Sequence, residues 1–223
     1  MTGERPECGA PPVRPPLWWR TSVGAGAGLQ LVATAFGGLG VAVATGAFGG
    51  PTWLRALALA VGLVLVYLDT HAVAHFAVGR AVGIHFRGFG LRGTDHPESY
   101  SPGVRQLMGH VPMWVALTDP SSRRAASPPA RAAMYAAGET STTLCTLAAA
   151  AAALLGGAPG GVLALLVSAA WTVVASVVVA VIPKGDYAKA ARALRSEDRA
   201  AWAAERRRPT ATAPIDAEPS ASQ

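Results

Sequence analysis

Charged residues are scarce in this 223-residue chain: Asp, Glu, Lys and Arg make up 14% of it, against roughly a quarter in an ordinary soluble domain. The shortage is uneven. Charges gather in residues 1–22, 80–131 and 184–208, and the stretches between them carry almost none. A soluble fold needs polar residues on the outer face of every element, so this segregation argues against one and points to lipid. Cysteine is nearly absent. Cys8 and Cys145 form no C-x-x-C pair, which argues against a disulfide framework and against a cysteine metal site. Lysine occurs twice against 17 arginines, and with abundant alanine this is the usage of a GC-rich bacterial genome. A recognition-helix signature is also missing. The net charge of +6 comes from basic residues flanking apolar segments and not from a stripe, so nucleic acid is not an expected partner.

What is present is a series of long apolar runs. Residues 1–22 read as a Pro-rich disordered tail, with Trp18 and Trp19 placed as interfacial anchors. The next run is too long for a signal-peptide core. The expected fold is an all-α polytopic membrane protein with about four transmembrane helices, at about 23–48, 53–82, 132–155 and 162–182. The loop 85–130 holds six prolines and a short apolar patch, Val104–Leu117, which suits a re-entrant or interfacial segment. Residues 183–208 read as a basic juxtamembrane helix on the membrane surface, and 209–223 as a disordered tail.

Counting Lys and Arg by loop gives an orientation. With four spans, the two tails and the 80–131 loop share one side and carry every basic residue except Arg55. That asymmetry predicts both termini in the cytoplasm of a bacterial plasma membrane.

Ionisable groups inside spans are expensive and therefore functional suspects. The second run holds Asp69, His71 and His75, the third holds Glu139, and Asp186 follows the fourth. His71 and His75 project from one helix face one turn apart, so both imidazoles can bind one metal ion, while Asp69 points to nearly the opposite face. Asp186 can approach from the end of another span as an anionic ligand, and two histidines with a carboxylate are a known zinc set that leaves a fourth position open. Two hydrogen-bonded structural histidines are the plainer alternative. His85, His96 and His110 read as ordinary loop residues. Five histidines with one close pair are too few for a histidine-box oxygenase, and ligands on one helix face cannot reach both sides of a haem.

The stretch His71-Ala72-Val73-Ala74-His75-Phe76-Ala77-Val78-Gly79-Arg80, then Gly88-Phe89-Gly90, then Ser127–Thr143, and finally Pro183–Ala190, follow one another in order. Over about residues 60–195 this arrangement resembles the site-2 protease family of intramembrane zinc metalloproteases. The resemblance implies a site-2-protease-like core, zinc bound by His71, His75 and Asp186, and a transmembrane protein as substrate. Ala72 stands where the family has its general-base glutamate, and Gly138-Glu139 stands where it has Gly-Pro. Peptide hydrolysis needs a positioned base, so weak or absent proteolysis is expected unless Glu139 folds over as a replacement base. A non-catalytic membrane scaffold or partner-binding protein is the alternative. A small proton- or metal-linked transporter using Asp69, Glu139 and the histidines is the second, disfavoured by the lack of an internal repeat.

Overall fold

The computed structural model describes residues 16–94, 102–182, 184–195, 199–200, 202–204 and 207. It is mostly helical. Ser22 opens α1 (Val23–Ala44) by accepting the Ala25 N–H on its hydroxyl. After a glycine-rich turn α2 (Thr52–Ala81) runs back, ending where the Ile84 N–H returns to the Gly79 carbonyl. The two helices cross closely. A Cβ on Gly37 would come within 2.8 Å of the Gly62 carbonyl oxygen, and one on Gly40 within 2.7 Å of the Ala58 oxygen. Only hydrogen fits along this seam, the small-residue packing that draws helices together in lipid.

Residues expected to be a loop instead form two strands and two short helices: β2 (Phe86–Arg92), α3 (Pro102–His110), β3 (Met113–Thr118) and α4 (Pro120–Ala125). Together with β1 (Trp19–Thr21) the strands make an antiparallel sheet in the order β1-β2-β3, with Arg20 opposite Gly90 and Gly90 opposite Val115. The chain is mostly helical, as expected of an all-α membrane protein, and this three-stranded sheet is the departure from that expectation. The apolar patch Val104–Leu117 is likewise divided between α3 and β3, and the tail assigned to 1–22 ends in a paired strand and a helix cap, with 1–15 outside the described residues. Phe89, fully buried, lies against Gly26 of α1 and stacks edge-on to Phe76 of α2 at 5.6 Å. The sheet therefore caps the end of the bundle where α1 begins and α2 finishes. Its far strand reaches alongside α2, where Trp114 Nε1 donates to Asp69 Oδ1 at 2.9 Å.

Ser127 caps α5 (Pro128–Leu155), whose first position is proline, a residue suited to the start of a helix. A tight turn leads into α6 (Gly161–Val181). At that turn Arg55 ties the bundle end together, donating to the carbonyls of Ala44 (2.9 Å) and Gly157 (3.5 Å). Three described helices, α1, α2 and α6, are long and apolar enough to cross a membrane. Their outward faces agree: Leu163 and Leu166 on α6 are 65% and 63% exposed, a surface suited to lipid. The expected third span, α5, is not among the three, because the polar run Glu139–Thr143 interrupts its 28 residues. Finally α7 (Asp186–Leu194) folds back so that Ala190 and Ala193 pack on Ala132, Tyr135 and Ala136 of α5. Within the expected basic segment 183–208, α7 thus docks on α5, and Trp202 Nε1 donates to the Ala125 carbonyl at 3.2 Å. The tail at 209–223 lies outside the described residues.

Candidate metal centre

The site forms where α2, α5 and the start of α7 meet. One helical turn separates His71 from His75, and their rings sit 4.8 Å apart, edge to face. Docking of α7 on α5 delivers Asp186 between them: its Oδ2 lies 3.1 Å from His71 Nε2 and 3.2 Å from His75 Nε2, and the two Nε2 atoms are 3.2 Å apart. The three residues can hold a metal ion, as their ligand atoms form one compact group. An ion about 2.0–2.1 Å from three atoms so spaced views them at angles of about 100°, near tetrahedral, with a fourth position left open.

The surroundings fit this use. His75 Nδ1 donates to the Met134 carbonyl at 2.6 Å, so a neutral His75 turns the lone pair of Nε2 into the site. His71 Nδ1 pairs with Thr142 Oγ1 at 3.3 Å. Lys189 Nζ donates to the other oxygen of Asp186 at 2.9 Å, leaving Oδ2 for the histidines. Burial opposes the charge on Asp186, but the hydrogen bonds with His71 and His75 and the charge of Lys189 outweigh it and hold the carboxyl well below the usual carboxylate range. The His71 side chain remains 31% exposed, so the cluster is reachable from outside.

The other residues singled out in the sequence fall differently. Asp69 is buried on the far side of α2 with Trp114 and takes no part in the cluster. Glu139 is buried on α5, in electrostatic range of His71, His75 and Asp186, but outside the group of ligand atoms. Ala72 is fully buried. His110 Nδ1 bonds its own helix at the Gln106 carbonyl, and the His85 backbone N–H donates to Ser122 Oγ, both away from the cluster. His96 lies outside the described residues.

Several supporting residues went unrecognised in the sequence. A Cβ on Gly138 would run into the His75 imidazole, so this glycine lets the ring lie flat against α5. Thr142 falls four residues after it, on the same face. A polar run interrupting an apolar helix was the available signal for both. No family model, curated protein or solved structure matches the chain.

Proposed function

We propose that the chain is a membrane-embedded zinc protein of the intramembrane metalloprotease type, with zinc held by His71, His75 and Asp186 and a transmembrane polypeptide as its substrate. One observation carries this reading. Residues 111 and 115 positions apart converge to 3.1–3.2 Å inside a bundle of apolar helices, where ionisable groups are retained for function. The ordered likeness of residues 60–195 to site-2 proteases supports it, and the chemistry of the donor set favours zinc over harder cations.

Zinc held there supplies Lewis acidity, lowering the pKa of a coordinated water and polarising a carbonyl. The chain's own part is to orient: Thr142 and the Met134 carbonyl fix the two imidazoles, and Lys189 fixes the aspartate. In this reading α5 spans with α1, α2 and α6, since the turns at 45–51 and 156–160 meet at one end through Arg55. The end carrying the sheet and α7 then faces the cytoplasm of a bacterial cell, as the charge asymmetry requires.

The non-catalytic alternative has its own observation, alanine at position 72, where no side chain can accept a proton. Cleavage of a model transmembrane substrate by wild type and His71→Ala, in the same membrane, separates the two. Cleavage lost with His71 supports the protease reading. Equal processing by both proteins, or by neither, favours the scaffold.

A further inference from the structure

We infer that Glu139 is the proton acceptor of this centre, entering from α5 in place of a carboxylate at position 72. The inference rests on the zinc reading above and adds the residue which that reading leaves without an occupant.

Two positions of α5 meet the histidines directly. Gly138 lies beneath the His75 ring, and Thr142 meets His71 Nδ1. Glu139 stands between them, one residue on from the first and three before the second. Its carboxyl is buried, and Oε1 has no hydrogen-bond partner among the described residues. A buried, unsatisfied carboxyl oxygen is costly to keep. Asp69 shows how a structural carboxyl in this bundle is handled: it too is buried, but it accepts a bond from Trp114. Glu139 instead interacts electrostatically with all three proposed ligands while standing outside their cluster. That placement suits a group acting on a substrate or a water at the open fourth position better than it suits a fourth ligand.

Position 72 cannot serve the same end. Ala72 is fully buried, and its methyl side chain has no group that can accept a proton. In hydrolysis of a peptide amide, Glu139 accepts a proton from the attacking water as its oxygen bonds the carbonyl carbon. It returns that proton to the nitrogen as the C–N bond breaks. Water is the only co-reactant.

The test uses acetohydroxamate, a small zinc-binding acid whose hydroxyl proton passes to a neighbouring base when it binds. Purified full-length wild type, Glu139→Gln and Glu139→Asp in detergent are compared for zinc content and for acetohydroxamate affinity. Glu139→Gln is expected to keep one zinc per chain and to weaken the probe about tenfold or more, with Glu139→Asp recovering part of the loss. Equal affinity in zinc-loaded wild type and Glu139→Gln overturns the inference while leaving the metal centre standing. Loss of zinc from Glu139→Gln also overturns it, since Glu139 would then be holding the metal or the fold. A wild type that binds no zinc removes the metal reading itself.

Discussion

The two halves of α2 behave as different helices joined end to end. From Thr52 to Leu68 the outward residues are apolar and exposed, with Trp53, Leu57, Val61 and Val64 all open, and the inward face is the glycine seam with α1. From Asp69 onward the helix is polar, and its polar side chains meet partners: Asp69 with Trp114, Thr70 with the Val66 carbonyl, His71 with Thr142 and Asp186, His75 with Met134 and Asp186. The contrast shows two ways of stabilising one helix in lipid. The first half relies on close backbone contact and tolerates whatever apolar residue faces outward. In the second, Asp69, His71 and His75 depend on partners drawn from β3, α5 and α7, so losing such a partner leaves a polar group stranded.

The sharpest break in this contrast comes from Asp186→Ala set beside Leu57→Ala. Removing the aspartate takes away one of the three proposed ligands. Zinc affinity, read by competition with a chelator, should fall by more than about 100-fold, beyond the 10–100-fold typical of residues that merely orient ligands. Leu57→Ala, on the exposed face of the first half, should leave zinc affinity unchanged. A second contrast lies at Ala72. Glutamate there must enter a fully buried position, and thermal or denaturant unfolding should show a loss on the order of 3 kcal/mol from overpacking and an unpaired polar group. Ala72→Glu is therefore expected to impair the protein and not to restore a protease, and a stable, more active Ala72→Glu would place residue 72 in the site after all.

Smaller effects sharpen the same comparison. Thr142→Val keeps the shape of the side chain and deletes the partner of His71 Nδ1, so zinc affinity should drop about tenfold with little change in stability. At the sheet end, Asp119 caps α4 through Ser121 and Ser122 and pairs with Arg87, and these contacts push its carboxyl far below the ordinary range. A depressed carboxylate contributes stability above its unfolded value of about 3.9 and loses that contribution as the pH falls toward the folded value. Asp119→Ala should thus lower Tm slightly at neutral pH, and the gap from wild type should close in strong acid. A gap that stays constant across that range would mean the cap does not act through its charge.

The grouping of His71, His75 and Asp186 was largely legible in the sequence because the spacing of the two histidines is local. The i, i+4 spacing of His71 and His75 survives any packing of α2, and Asp186 was the nearest carboxylate beyond the last apolar run. The sheet was not legible. Its strands lie more than 60 residues apart at β1 and β2, β2 is broken by Gly88 and Gly90, and Met113–Thr118 is a short continuous apolar run that suits strand or helix equally. Apolar length read α5 as a span holding Glu139, and Glu139–Thr143 give that helix a polar centre. That centre supplies Thr142 as the partner of His71, and Gly138 just before it is the cradle of His75. Glycine at 138 carries no chemical signal, and its use emerges only once the His75 ring is seen lying on it.

The central claim is that two imidazoles and one carboxylate hold a single zinc, and X-ray absorption at the zinc edge of the purified protein tests it most directly. The account predicts about one zinc per chain in a shell of nitrogen and oxygen at about 2.0–2.1 Å, with the outer scattering of two imidazole rings. A sulfur shell at about 2.3 Å, a single imidazole, or a protein that retains no zinc would contradict it.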